Sequence, residues 1–290
     1  MKHSLFITFL LIAFFLLAQF IGLGIIYKYI DQVRSAEEGE TVFKDLPVGE
    51  RPPLKEETSF LPIFLTLVIG TVLLLFIIKR NLVWIWKIWF LMAVVISLTI
   101  ALGIFVNPIF AFIAALIFGL WKIFKPNFII HNITELFIYG GLAAIFVPLF
   151  NLLSVSLLMI GIALYDAYAV WKSKHMITLA KSQAQSKVFA GFLLPYKIFK
   201  AKPKPSMRTK PVKVRTAVLG GGDIGFPLIF AGVIMKEMGL WQSLIIPLFA
   251  SLGLIYLLWK GDEGKFYPAM PFIGAGCFLG LGLVWLLTLF

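Results

Sequence analysis

Residues 218–235 read VLGGGDIGFPLIFAGVIM, an apolar run with three consecutive glycines and one carboxylic acid, Asp223, near its start. A hydrocarbon core about 30 Å thick takes roughly 20 apolar residues at 1.5 Å each, so a run of this length is a candidate membrane span. The rest of the chain decides that reading. Of its 290 residues 60% are apolar and 14% charged, against about 45–50% and about 25% in soluble globular proteins. A mean hydropathy of +0.97 means more apolar surface than an internal core could hide. The chain is therefore read as an all-α polytopic membrane protein. Its 29 Phe and 8 Trp suit a lipid-facing surface, and its 24 Gly suit close helix approach. The single cysteine, Cys277, excludes a disulfide framework and a thiolate metal cluster.

Outward from residues 218–235, eight further apolar runs stand between charges or Pro/Asn breaks. In chain order the nine predicted spans are Leu5–Ile26, Phe60–Ile78, Leu82–Phe105, Ile109–Phe124, Asn127–Val147, Leu152–Trp171, Val218–Met235, Leu240–Trp259 and Tyr267–Phe290. The first exceeds the 7–15 apolar residues of a signal peptide and no small-residue cleavage site follows it, so it is read as a retained anchor. Basic residues are retained on the cytoplasmic side. With a cytoplasmic N-terminus the inner segments hold 19 Lys and Arg, Lys122 among them, and the outer segments six. The spacing thus predicts the N-terminus inside and the C-terminus outside.

The net charge of +12 belongs to this asymmetry, which argues against a nucleic-acid partner. Twelve basic residues and no acid lie from Lys172 to Arg215, with Val188, Phe189, Phe192, Leu193, Ile198 and Phe199 among them. Part of that stretch is expected to lie as an amphipathic helix on anionic headgroups, and Lys202-Pro203-Lys204-Pro205 to form an extended linker. Three units follow: a six-span bundle over residues 1–172, a basic cytoplasmic loop over 173–215, and a three-span unit over 216–290.

Ionisable groups at bilayer depth cost several kcal/mol each, so those that remain are functional candidates. His131 and Glu135 are i and i+4 on one helix face and are expected to satisfy each other. Asp166 and Asp223 differ. Asp166 lies six residues above the cytoplasmic end of its span, and Asp223 six to eight above the entry of the next, about 9–12 Å from one surface. Consecutive antiparallel helices are usually neighbours. Two carboxyls facing each other at low dielectric share one proton, so one can take a proton from water while the other donates to a carbonyl oxygen. That chemistry needs neither metal nor cofactor. Gly220-Gly221-Gly222 before Asp223, with Gly225 and Pro227 after it, predict a poorly formed helix start lining a wet cavity. Pro268-Ala269-Met270-Pro271 opens the last span with unpaired backbone amides near the same boundary.

Tyr165-Asp166, Gly220-Gly221-Gly222-Asp223 and Pro268-Ala269-Met270, on spans six, seven and nine, together resemble the YD, GxGD and PAL motifs of the presenilin and signal peptide peptidase family of intramembrane aspartyl proteases. The resemblance implies a presenilin-like fold in which Asp166 and Asp223 are the catalytic pair. Tyr165, the three glycines and Pro268 to Met270 would then shape the site and bind substrate. Met270 replaces the Leu of the motif, a swap that keeps volume and apolarity. The implied substrates are transmembrane helices, which must unwind locally before water can attack; the implied partner strand pairs with backbone near span seven and the Pro268 segment. Basic-loop orientation favours the presenilin branch, and a loop of about 45 residues resembles a compact microbial homologue, resident in the plasma membrane. Homo-oligomers are compatible with the glycines and long spans. A proton-coupled transporter using the two acids as a relay, a prepilin-peptidase-type protease and a non-proteolytic scaffold or leak channel stay open as alternatives.

Overall fold

The computed structural model describes residues 4–80, 82–173, 189–195, 216–262 and 267–289. Each predicted span becomes a helix. They are α1 (Leu5–Tyr29), α3 (Phe60–Lys79), α4 (Val83–Gly103), α5 (Pro108–Phe124), α6 (Phe128–Phe146), α7 (Leu152–Ala167), α8 (Gly221–Met238), α9 (Leu240–Lys260) and α10 (Met270–Thr288). A short helix, α2 (Gln32–Glu38), lies between α1 and α3. Seven helical segments are long and apolar enough to cross a membrane; α5 is apolar but has only 17 residues. The seventh predicted span, α8, falls outside those seven because its 18 residues include Asp223, Lys236 and Glu237.

Two expectations are corrected. The chain is not all-α: β1 (Gly191–Pro195) pairs antiparallel with β2 (Thr216–Gly220), in register Gly191↔Gly220 through Pro195↔Thr216. Phe192 and Leu193, expected on an amphipathic helix, are therefore in a strand, whose Phe192 and Leu194 are buried in the main apolar core. Residues 218–220 likewise end β2, and α8 starts only at Gly221. The reason is local: a strand delivers Gly220 with φ −67° and ψ 149°, and the helix begins behind it with Asp223 in its first turn, where the helix dipole favours an anion. The anticipated irregular helix start is instead a strand running into a regular helix. Among the basic-loop residues, Val188, Ile198, Phe199 and the Lys202 linker lie outside the described residues.

Helix α1 runs through the core, with Leu11, Phe15, Ala18, Leu23, Ile25 and Ile26 buried, and packs on α6, α8, α9 and β1. Helix α3 is peripheral, with only Leu74 and Ile77 buried. Helices α9 and α10 meet backbone to backbone: a Cβ at Gly253 would lie 2.2 Å from the Phe272 carbonyl oxygen, and one at Gly276 2.3 Å from that of Phe249. Without a hydrophobic drive between helices in lipid, such small-residue contact supplies the dispersion that holds them. At the opposite end from the sheet, Glu237 accepts from the Leu152 amide at 2.8 Å, and the Lys236 ammonium donates to the Phe150 carbonyl at 3.1 Å. These bonds tie the end of α8 to the start of α7, so the two packed helices are antiparallel.

Candidate active site

Asp166 sits in the last turn of α7, which continues as a π-helical turn, Tyr168–Lys172. Asp223 sits in the first turn of α8. The ties at the far end fix their relative height. Fourteen residues separate Leu152 from Asp166 and fourteen separate Asp223 from Glu237, so each acid lies about 21 Å along its helix from the Leu152–Glu237 bond. The two neighbouring antiparallel helices therefore carry their acids at one level.

The segment that opens α10 meets the first of them. The Met270 N–H donates to Asp166 Oδ2 at 3.1 Å, and the Ala269 backbone also bears on that carboxyl. Pro268 and Met270 are buried, as is Asp166, while Ala269 is half-buried. The amide is available because the first N–H groups of a helix have no partner within it, and α10 begins at Met270 with Pro271 behind it. Tyr165 packs its ring edge-on to Phe64 of α3 at 6.4 Å, which seats the motif tyrosine between α7 and α3.

The three glycines before Asp223 differ in what they leave room for. At Gly220 a Cβ would stand 3.1 Å from Asp223 Oδ2, so the carboxyl folds back over the end of β2. At Gly221 it would stand 2.9 Å from the Tyr139 hydroxyl. At Gly222 it would meet only the Phe226 ring at 3.4 Å, an ordinary contact. Pro227, inside α8, has no N–H for the Asp223 carbonyl. One residue on, buried Gln19 of α1 donates to the Ile224 carbonyl at 2.8 Å and so braces this turn.

The two carboxyls thus lie at one level, Asp166 accepting from a backbone amide and Asp223 at a helix N-terminus. Among the described residues no group of three or more His, Cys, Asp or Glu could hold a metal. Residues 43–288 match the family described as signal-peptide peptidase, presenilin aspartyl protease. The chain belongs to that family. Two solved structures share its fold: a presenilin family intramembrane aspartate protease in space group P2, 18% identical over 96% of this chain and 96% of that one with a TM-score of 0.62, and one in space group C222, 19% identical over 97% and 99% with a TM-score of 0.63. Among curated proteins none matches.

In this presenilin-family chain, His131 and Glu135 do not satisfy each other as the i, i+4 spacing suggested. Glu135 pairs with Lys122 of α5 at 2.5 Å and accepts from the Tyr139 hydroxyl, while His131 Nε2 meets the Gly191 carbonyl at 2.7 Å. Lys122 is thus a buried counter-ion and not a loop cation. Gln19 and Tyr139 escaped sequence reading. Gln19 stood out only as one amide in an apolar run, and Tyr139 only as a third polar residue on the His131–Glu135 face.

Proposed function

We propose that this member of the family hydrolyses peptide bonds within transmembrane helices, with Asp166 and Asp223 as its catalytic pair. The enzyme class, an intramembrane aspartic endopeptidase, follows from the family. The residue assignment rests on one observation above all: the Leu152–Glu237 tie and the equal helix lengths below it bring two acids to one level on packed helices. In the reaction the ionised carboxylate takes a proton from water, and the water oxygen attacks the scissile carbonyl carbon. The protonated partner delivers its proton to the carbonyl oxygen. When the tetrahedral intermediate collapses, the now protonated carboxyl gives its proton to the leaving amine, the C–N bond breaks, and the ionised partner takes a proton from a gem-diol hydroxyl as the new carbonyl forms, so the pair again holds one proton.

Tyr165, Gly220, Gly221, Gly222 and the Pro268–Met270 segment shape the site in this reading. The Met270 amide on Asp166 supports that role for the last segment. Before attack the substrate helix must unwind, and the unwound strand adds to backbone near the start of α8, where β2 delivers a strand edge to Asp223. The finer topology is part of the proposal: α5 and α8 complete nine spans, the N-terminus faces the cytoplasm and the C-terminus the outside, the basic loop is cytoplasmic, and the enzyme resides in a plasma membrane. It uses no cofactor and needs no nucleic acid, and its units are residues 1–172, 173–215 and 216–290.

The test is cleavage of a panel of single-span reporter helices by the purified chain in liposomes, read as product masses. Asp166→Ala and Asp223→Ala should each abolish products while the melting temperature stays near that of the parent. Full turnover by either variant overturns the assignment. Labelling by a photoreactive hydroxyl-containing peptide isostere, competed by unlabelled compound, separates this reading from transport.

A further inference from the structure

Gln19 is a primary amide fully buried among the apolar residues of α1, and only half of it is used. Its Nε2 donates to the Ile224 carbonyl of α8 at 2.8 Å, while among the described residues its Oε1 has no hydrogen-bond partner. A buried acceptor left unpaired costs free energy that a methionine or leucine of similar size would not. Stability alone therefore gives no reason for glutamine at this position; the reason lies in what the amide holds.

Helix α1 meets α8 in parallel register. One turn beyond Gln19 a Cβ on Gly22 would run into the Leu228 side chain, and one turn further a Cβ on Gly232 would stand 2.9 Å from Ile26 Cδ1. Residue numbers rise together on the two helices, and the Thr41 hydroxyl carries the contact on to the Lys236 carbonyl at 2.7 Å. On its other side α1 is backed by α6, where a Cβ on Gly140 would stand 3.2 Å from Gly22 Cα.

The turn that Gln19 reaches needs holding. Gly220, Gly221, Gly222 and Gly225 surround Asp223 with the freest of backbones, and Pro227 offers no N–H to the Asp223 carbonyl. From α6, Tyr139 lies along the same turn: a Cβ on Gly221 would stand 2.9 Å from its hydroxyl, and one on Gly225 3.6 Å from its ring. At about 100° per residue, Asp223 is about 160° round the helix from both of those glycines and about 100–140° from Ile224 and Leu228. Both holds therefore take the back of the turn whose front carries the acid. Tyr139 packs there, whereas Gln19 makes a directional bond to the backbone of the very next residue.

We propose that Gln19 is a positioning residue for the acid pair: through the Ile224 carbonyl, α1 fixes the height and rotation of the first turn of α8 and so holds the Asp223 carboxyl in place relative to Asp166. This rests on the proposed protease reading. The bond is to backbone, so Gln19 acts through the placement of Asp223 and not on the reacting atoms.

The experiment compares the parent, Gln19→Met and Gln19→Leu as full-length proteins in liposomes with one single-span reporter, with Asp223→Ala as the inactive reference. Methionine keeps the unbranched shape and leucine the approximate volume, and neither can donate, so one remains informative where the other packs badly. The thermal midpoint should equal or exceed the parent's, since the unpartnered Oε1 is gone, while kcat falls between about tenfold and a hundredfold with KM within about threefold. Two interacting carboxyls titrate in two separated steps, so a loosened pair should also narrow the bell-shaped pH dependence of kcat. Lys122, His131, Glu135 and Tyr139 are the same in parent and variants, which leaves the change in width to the pair. Parental kcat in a folded variant, an unchanged pH width, or a loss that only follows the unfolded fraction overturns the proposal. A parent that does not cleave, or an Asp223→Ala variant that does, instead overturns the protease assignment.

Discussion

Glu135 and Asp166 are acids buried in one bundle, 1% and 8% exposed, and they are answered in opposite ways. Glu135 has a full cation at 2.5 Å, a phenol hydroxyl and a backbone amide, so its oxygens are committed. Asp166 is met by backbone amides at the start of α10, and among the described residues no Lys, Arg or His forms an ion pair with it. A buried acid given a counter-ion is committed to that pair. One given only dipoles can exchange a proton, which is what hydrolysis asks of it. The difference separates an acid that holds the sheet from an acid suited to the reaction.

The comparison breaks first at the proposed catalytic pair. Asp166→Asn and Asp223→Asn should each lower turnover by at least about a thousandfold, since general acid–base partners are removed while shape is kept. Thermal unfolding in detergent should stay within a few degrees of the parent. If Asp166→Asn instead unfolds the protein and the remaining folded fraction cleaves normally, Asp166 is structural and the contrast with Glu135 collapses.

The next effect falls on stability. Lys122→Met leaves Glu135 buried without its cation, and should destabilise by about 3–5 kcal/mol. Adding Glu135→Gln removes the orphaned charge and should recover most of that loss, because a buried pair replaced as a whole is often near neutral. Unfolding midpoints of the single and double variants check it. A double variant no more stable than Lys122→Met alone would show that the charge itself, and not its solitude, is what the site requires.

These residues also show how far sequence reading carries. The nine apolar runs became helices because lipid leaves few alternatives for a long apolar stretch, and Asp166 and Asp223 stood out because an acid at that depth is costly. The sheet was hidden. Gly-Phe-Leu-Leu-Pro and Thr-Ala-Val-Leu-Gly are five-residue strands joined across a long basic loop, and neither alternates strongly enough to distinguish it from the end of a span. The i, i+4 rule for His131 and Glu135 failed because it sees one helix, whereas Lys122 reaches Glu135 from α5 and Gly191 reaches both from β1. The Met270 amide on Asp166 was half legible: the prolines predicted an unsatisfied N–H, but only the fold could say which acid takes it.

Glycines sharpen the contrast at smaller scale, because Gly221 faces the Glu135 network and Gly222 does not. Gly221→Ala presses on the Tyr139 hydroxyl that bonds Glu135, and overpacking of this kind typically costs about 1–3 kcal/mol. Turnover should fall about tenfold as the start of α8 shifts. Gly222→Ala meets a ring edge at ordinary distance and should stay within about threefold. Equal losses in both would mean that backbone freedom, and not space beside Tyr139, is what the motif preserves.

The smallest effect comes from a second Lys–Glu pair. Lys236 and Glu56 approach to 2.6 Å, almost the distance of Lys122 and Glu135, but Glu56 is 44% exposed and the lysine 11%. If distance set the energy, the two pairs would weigh alike. Solvent screening says otherwise: an exposed pair is typically worth about 0–1 kcal/mol. Lys236 also retains the Phe150 carbonyl when Glu56 is gone, so no charge is stranded. Glu56→Gln should therefore lower stability by at most about 1 kcal/mol, and that increment should shrink further at about 1 M salt, where the screening length is about 3 Å. Unfolding midpoints at low and high salt measure both. A loss as large as that of Lys122→Met, insensitive to salt, would mean that the contact between the 30–59 segment and α8 is as dry as the bundle interior, and that burial does not distinguish the two pairs.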